Sequence, residues 1–224
     1  MERQHFEGDL QTLKQRLLHM GALVEERVHQ AVVALMERRA DLAEQVATGD
    51  HAVNDLQIEI DDRCLKLLAL QQPMAGDLRF ITCAMKINAD LERIGDQAVN
   101  IAQNSIRLLP HPPLRPLIDL PRMAEIAQAM TRDSLDAFVK KDATLAREVL
   151  RRDDQVDELK DHVFRVLLTH MMADPDTIER ALGLILVSRN LERIADHATN
   201  IAEDVIFLVE AKDVRHHHET EETP

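Results

Sequence analysis

Two nearly identical acidic phrases stand one hundred residues apart in this chain. Asp90–Ala102 reads DLERIGDQAVNIA and Asn190–Ala202 reads NLERIADHATNIA. In each phrase a glutamate is followed by an aspartate four residues later and by an asparagine eight residues later, which gives Glu92, Asp96 and Asn100 in the first and Glu192, Asp196 and Asn200 in the second. On a helix such residues share one face.

Carboxylates four residues apart on a helix repel each other by roughly 0.2–0.5 kcal/mol. Arg93 and Arg193 can each reach the aspartate three residues on, which offsets only part of this repulsion, so a bound cation would stabilise the pair. Carboxylate and amide oxygens suit Mg²⁺, Ca²⁺, Mn²⁺ or iron. The phrases therefore predict two divalent-metal sites, formed by Glu92, Asp96 and Asn100 and by Glu192, Asp196 and Asn200.

One helix supplies too few metal ligands, so neighbouring segments would have to contribute. His197 could add a nitrogen, although the first phrase has Gln97 there. Further oxygens could come from the predicted middle helix of each half of the chain. These are Asn54, Asp55 and Glu59 in the first half and Asp157, Glu158 and Asp161 in the second. Two other interpretations stay open: the acidic stripe is a solvated helix face, or it is a contact surface between two helical bundles.

The apolar residues of the phrases predict the helices that carry them. Leu91, Ile94, Ala98 and Ile101 are three and four residues apart, as are their counterparts in the second phrase, and this spacing marks a buried helical seam. A similar stripe runs from Leu10 to Leu35, with a break at Thr48–Asp50. We predict helices near 51–71 and 73–109, then near 117–139, 154–172 and 175–211, with Pro73 and Pro175 in first turns.

A proline-rich segment divides the chain. Leu108–Pro121 holds five of the eight prolines, and proline interrupts helices. The predicted domains are a first three-helix repeat at 1–109, a linker at 110–121 and a second repeat at 122–211, whose first helix starts near 117. A disordered tail is expected at 212–224. The predicted fold is all-α, with two tandem three-helix bundles related by an internal pseudo-twofold repeat.

Composition limits the classes of function. Cys64 and Cys83 are the only cysteines, so we expect two buried thiols in a reducing compartment. The net charge of −13 is unfavourable for binding to nucleic acid or anionic lipid. We expect no membrane insertion and no secretory signal, because no apolar run of about 18 residues and no apolar N-terminal region occur.

The stretch QQPMAGDLRFI from Gln71, together with the two acidic phrases and the half-repeat, resembles the PhoU family. The resemblance implies two three-helix bundles, a homodimer and a cytoplasmic location. It implies a regulator that dampens the phosphate-specific ABC transporter and represses the phosphate-starvation regulon. Its implied partners are the ATPase subunit of that transporter and a sensor histidine kinase. Some members bind iron or other metals at phrases that correspond to Glu92 and Asp96 and to Glu192 and Asp196.

The resemblance argues for a protein that is not an enzyme. No glycine-rich phosphate loop, nucleophile elbow or positioned nucleophile can be recognised in the sequence. Glu26 and His29 have the spacing of a di-iron motif but are predicted to be a surface pair. The alternative is a metal-dependent helical-bundle enzyme, such as an oxidase or a phosphatase.

Overall fold

A computed structural model describes residues 2–114 and 119–215, with side chains from residue 5 onward. All regular structure in this part of the chain is helical, and a 3-10 turn at Pro175–Thr177 precedes the last helix. The helices are α1 (Glu2–Glu37), α2 (Ala40–Thr48), α3 (His51–Gln71), α4 (Ala75–Leu108), α5 (Asp119–Lys140), α6 (Ala143–Ala173) and α7 (Ile178–Glu210).

Each half of the chain forms a bundle with three arms, as predicted. The arms of the first bundle are α1, the pair α2–α3, and α4; those of the second are α5, α6 and α7. The seam residues Leu91, Ile94 and Ala98 are fully buried, and so are Ile194 and Ala198 of the matching seam. The 3-4 spacing of the apolar residues therefore located the core correctly.

The first turn of each bundle differs only in part from the prediction. The KKDATL stretch at 140–145 predicts a joint between helices, and the chain does turn there, whereas no turn is predicted near residue 38. The chain reverses at Arg38 and at Lys141, both of which have left-handed backbone conformations with φ of 56° and 53°. Consequently α2 belongs to the second arm, which Gly49 and Asp50 only interrupt, and α6 begins at Ala143, eleven residues before the predicted start. Left-handed caps usually fall on glycine, so the arginine at position 38 gives no sequence signal. The turn at Lys141 is followed by Asp142, a typical N-cap, whose side chain accepts hydrogen bonds from the backbone N–H groups of Thr144 and Leu145.

Three smaller boundaries also differ. Pro73 lies before α4, which begins at Ala75, and does not lie in its first turn. Helix α5 already includes 119–121, the last residues of the predicted linker. The predicted tail begins with residues 212–215 outside the helix, where Val214 packs against the core; residues 216–224 and the predicted helix start near 117 lie outside the described residues.

The two bundles pack against each other along their full length. Helices α4 and α7 run antiparallel: Cys83 Sγ lies 3.4 Å from the carbonyl oxygen of Asp204, and Gly183 lies against Leu108 near the opposite ends. Phe80 of α4 stacks on Phe138 of α5 with ring centroids 5.2 Å apart. The buried apolar residues of both halves form one continuous core.

Arginines from both bundles bind the segment that joins them. Arg38 donates hydrogen bonds to the carbonyl oxygens of Leu109 and His111, and Arg180 of α7 donates to that of Pro112 at 3.2 Å. These contacts satisfy carbonyl groups of the non-helical segment that follows α4.

Burial determines the protonation state of the two cysteine thiols. Cys64 and Cys83 are free and buried, and burial raises the pKa of Cys64 to about 12 and that of Cys83 to about 11. Both thiols are therefore protonated and unreactive at neutral pH.

Within residues 2–114 and 119–215, no helix has an apolar stretch long enough to cross a bilayer.

Cutting the chain between α4 and α5 should leave the two halves associated, because they share a core. We expect a protease site introduced at residues 112–114 to yield two fragments that elute together in gel filtration. The same digest in denaturant, as the control, should separate them. Separate elution under native conditions would mean that the bundles are independent domains.

Candidate functional site

The two acidic phrases lie on the central helices α4 and α7, on faces turned away from the bundle seams. Glu92 and Glu192 keep 20% and 23% of their side-chain surface exposed. Both glutamates are thus partly withdrawn from water, whereas the side chain of Asp96 is 46% exposed. Partial burial of several carboxylates in an acidic protein requires compensation, and the two bundles provide it differently.

In the second bundle, α6 adds two acids to those of α7. Asp153, Asp157, Glu192 and Asp196, here called the second acid cluster, lie along the contact between these helices. Lys160 joins them: its Nζ donates to Asp157 Oδ1 at 2.6 Å and to Glu192 Oε1 at 3.0 Å. One ammonium group therefore partly compensates four carboxylates.

The pKa values in the second acid cluster show that the compensation is incomplete. The pKa of Asp153 is raised from 3.8 to about 6, first by burial and then by the negative charges of Asp196 and Asp157. Burial also raises the pKa of Asp196, and Glu192 and Asp157 contribute to that increase. The contacts of Lys160 with its two acidic partners raise its own pKa. The cluster thus retains an excess of negative charge that a further cation would neutralise.

The first bundle has a smaller acidic group, the first acid pair, Glu92 and Asp96. Arg93 lies 3.6 Å from Glu92 and 3.9 Å from Asp96, so it interacts with both only weakly. The pKa of Glu92 is raised by burial and by Asp96. Asn54 and Gln57 occupy the positions that match Asp157 and Lys160 in the internal repeat. The counterpart of Asp153 is Asp50, whose charge acts on Arg27. The first acid pair therefore has fewer carboxylates and no lysine.

Polar contacts between α4 and α7 join the two sites. Asp90 Oδ1 lies 2.8 Å from His197 Nδ1 and accepts a hydrogen bond from the side-chain amide of Asn200 at 3.2 Å. The first contact requires that Nδ1 of His197 carries the proton. At the positions related by the internal repeat, the residues are Asn190 of α7 and Gln97 and Asn100 of α4. An acid and a histidine thus stand on one side of the repeat where two amides stand on the other.

This arrangement brings together some of the predicted metal ligands and separates others. Glu192 and Asp196 lie near Asp157, which is one of the predicted additional ligands, and Lys160 pairs with Glu192. Glu59 is bound by Arg16 and Arg63. Asp55 is exposed, whereas Glu158 and Asp161 line a separate groove beside His162.

Asp153 is the site residue that the sequence argument missed. It precedes Asp157 by four residues, and the spacing rule that identified Glu192 and Asp196 would have found this pair too. The predicted start of the helix at 154 concealed it, because Asp153 was left outside the helix.

The oxygen-rich donor set fits a hard divalent cation. As they stand, however, no three histidine, cysteine, aspartate or glutamate side chains in the described part of the chain are grouped closely enough to hold a metal ion. Lys160 occupies the space between Asp157 and Glu192, so metal binding in the second acid cluster would require its displacement. Glu26 and His29, the other candidate pair, are both exposed.

Comparison with known proteins places both halves in one family. The PhoU domain model matches residues 17–105 and again residues 120–205. The two matches end within three residues of the ends of the repeated phrases, at Ala102 and Ala202. The internal duplication inferred from the phrases is therefore a duplication of this domain.

Several relatives match nearly the whole chain. The phosphate-specific transport system accessory protein PhoU homolog of Aquifex aeolicus is 43% identical over 94% of this chain and 95% of its own length. The homolog of Pseudomonas putida is also 43% identical, over 95% and 84%.

Solved structures agree with the sequence comparison. The crystal structure of PhoU from Pseudomonas aeruginosa is 41% identical, with a TM-score of 0.89 over 92% of this chain and all of that one. The phosphate transport system regulatory protein PhoU from Streptococcus pneumoniae has a TM-score of 0.87 at 31% identity, over 93% and 99%. With two domain matches and relatives of this similarity over its length, the chain belongs to the PhoU family.

Proposed function

We propose that this protein is a regulator of phosphate uptake that acts on a phosphate-specific transport system. The observation that carries the proposal is the match, over nearly the full length of both chains, to relatives named as accessory proteins of such systems. The Streptococcus pneumoniae relative, named as a regulatory protein, supports the same role.

The partners in this proposal are the ATPase subunit of the phosphate ABC transporter and the sensor histidine kinase of the phosphate-starvation regulon. Through the first the protein dampens transport, and through the second it represses the regulon. A cytoplasmic location follows from these partners, and we propose a homodimer as the working form. The net charge of −13 favours contacts with basic protein surfaces.

We further propose two divalent-cation sites, which would hold Mg²⁺, Mn²⁺, Ca²⁺ or iron. Asp153, Asp157, Glu192 and Asp196 would supply ligands in the second, and Glu92 and Asp96 in the first. Asn100 and Asn200 would add oxygens or orient neighbouring groups; the contact of Asn200 with Asp90 supports the orienting role. A bound cation would offset the carboxylate repulsion that raises the pKa values of Asp153, Asp196 and Glu92.

An enzymatic function is the weaker alternative. The relatives are named as accessory or regulatory proteins, and no observation on the acidic groups favours an oxidase or a phosphatase. We therefore propose that the cations, when bound, serve stability and recognition, and that the protein is not an enzyme.

Deleting the gene in its host should derepress phosphate-starvation genes while phosphate is plentiful, because the regulator that represses them is lost. A transcriptional reporter for such a gene, together with uptake of labelled phosphate, measures this. Reintroducing the wild-type gene is the control and should restore repression. Unchanged reporter activity and uptake after deletion would contradict the regulatory role.

Asp96→Ala combined with Asp196→Ala should abolish stabilisation by divalent cations. For the demetallated wild type, a cation at a hundredfold excess over Kd should add about 2.7 kcal/mol to the free energy of unfolding, which corresponds to a rise in Tm of roughly 5–10 °C. Thermal unfolding with and without Mg²⁺, Mn²⁺, Ca²⁺ or iron measures this.

The control for that experiment is Glu44→Ala with Glu148→Ala, which removes two exposed acids outside the site and should keep the gain. A wild-type Tm that none of these cations changes would sink the metal proposal and leave the regulatory proposal intact.

Asp153→Asn should stabilise the metal-free protein at neutral pH by about 1–2 kcal/mol. A pKa raised from 3.8 to about 6 corresponds to at most about 3 kcal/mol, and access of solvent reduces this. Because the pKa in the folded state exceeds that in the unfolded state, the wild type loses stability as the pH rises from about 4 to about 6. The variant should lack this loss.

Urea unfolding of both proteins at several pH values measures the difference. Exposed Asp154 provides the matched control, since Asp154→Asn should have a much smaller effect. Equal stability of wild type and Asp153→Asn at pH 7 would show that the repulsion at Asp153 is already relieved.

A further inference from the structure

The hairpin of α6 and α7 carries a ladder of exposed apolar side chains. Its six members are each between 42% and 80% exposed: Phe164, Leu168 and Met172 on α6, and Ile178, Leu182 and Leu186 on α7. On each helix they are four residues apart, so each set forms one stripe.

The two stripes lie side by side. Helices α6 and α7 are antiparallel, as the contact of Lys160 with Glu192 and the short joint at 174–177 require. This course places Phe164 level with Leu186, Leu168 with Leu182, and Met172 with Ile178. Together they form an apolar surface on the order of several hundred Å², a size that in monomers often marks a binding site.

The fold itself does not require this ladder. At the positions that match by the internal repeat, the first bundle has Asp61, Leu65 and Ala69 on α3 and Leu78, Thr82 and Lys86 on α4. Half of these are polar or charged, and Lys86 forms an ion pair with Asp204. The first bundle also exposes apolar side chains on its α3–α4 hairpin, among them Leu65, Leu70 and Met74. At the matching positions, however, three polar or charged residues interrupt the stripes, so the uninterrupted ladder is particular to the second bundle.

The charges at the ends of the ladder indicate what covers it. Beyond Phe164 and Leu186 lies the second acid cluster, which keeps an excess of negative charge despite Lys160. Beyond Met172 and Ile178 lie the exposed acids Asp174, Asp176 and Glu179. Arg165 and Arg189 stand at the Phe164–Leu186 end, and Arg180 stands at the other. Acids still outnumber bases at both ends, by seven to four within 153–165 and 189–196 and by three to one within 174–180. The surface is thus apolar and acidic at both ends.

We propose that this ladder is the docking site for an amphipathic helix of another protein, with apolar residues at every third or fourth position and lysine or arginine at both ends. The groove between two antiparallel helices accepts such a helix. Its basic ends would meet the acids at both ends of the ladder. The inference rests on the proposed function only in assuming that the protein acts by binding other proteins.

Other occupants fit the surface less well. A second copy of this chain, related by a twofold axis, would place acidic ends against acidic ends in either the parallel or the antiparallel arrangement, and like charges oppose that contact. An anionic lipid surface would be repelled by the same acids.

The test uses the full chain and a synthetic helical peptide of about 15–20 residues with leucines at helical spacing and lysines at both ends. We expect the peptide to bind the wild type, as fluorescence anisotropy would show. Met172→Gln with Leu182→Gln should weaken binding at least tenfold, because it removes two apolar contacts without changing the charge.

The matched control is Met74→Gln with Leu65→Gln, in the first bundle. Met74 and Leu65 are 79% and 57% exposed, against 80% and 50% for Met172 and Leu182, so binding should be unchanged. A peptide with glutamate in place of lysine should bind at least tenfold more weakly. Circular dichroism and Tm would verify folding, and Met172→Gln alone provides a milder variant.

Several results would overturn the proposal. One is that the lysine peptide does not bind the wild type, and another is that the two double variants bind it with equal affinity. A third is that the wild type binds the lysine and glutamate peptides with equal affinity. Sedimentation showing a wild-type dimer that Met172→Gln with Leu182→Gln dissociates would assign the ladder to a second copy. Ladder-dependent binding to anionic vesicles would assign it to a membrane. Because the reporter experiment tests the regulatory role separately, either proposal can fail alone.

Discussion

The antiparallel contact of α4 with α7 is the constraint on which the rest of the structure depends. These two helices form the last arm of each bundle and also the interface between bundles, so each buries one face in its own seam and another against its partner. Small and apolar residues allow the close approach at Gly183 and Leu108, and Asp90 with His197 fixes the polar part of the contact. A helix that is buried on two sides has only a narrow solvent-exposed face. The acidic side chains of the two phrases lie at the edge between that face and the buried ones.

This position explains why the carboxylates have perturbed pKa values. Residues at the edge of a buried face lose part of their hydration, and neighbouring helices bring further acids close to them. In the second bundle α6 supplies both additional acids and Lys160, so charge accumulates and is partly neutralised within the protein. In the first bundle the matching positions hold Asp50, Asn54 and Gln57. The charge of Asp50 acts on Arg27, and the acidic group around Glu92 stays small. Duplication thus preserved the helical frame while the electrostatics of the two sites diverged.

The proposed regulatory role suits a molecule that offers surfaces for contact with other proteins. Its outer face combines acidic sites on the central helices with an uninterrupted apolar ladder on the α6–α7 hairpin. Partners that approach this face would meet two chemically distinct regions within one rigid frame. A shared core between the bundles keeps these regions at a fixed distance, which a flexible linker between independent domains would not.

The sequence by itself determined the helical class, the duplication, the buried seams and the acidic stripe, because all of these follow from local spacing along a helix. It also placed Glu192 beside Asp196, since four residues complete about one helical turn. Tertiary structure decided the reversal at Arg38, where a side chain with no turn preference adopts a left-handed conformation and binds the distant carbonyl group of Leu109. It also brought Asp153 and Lys160 to Glu192 and Asp196, and Asp90 to His197. Those pairings join residues from separate helices, and only the packing of one helix on another sets which side chains meet.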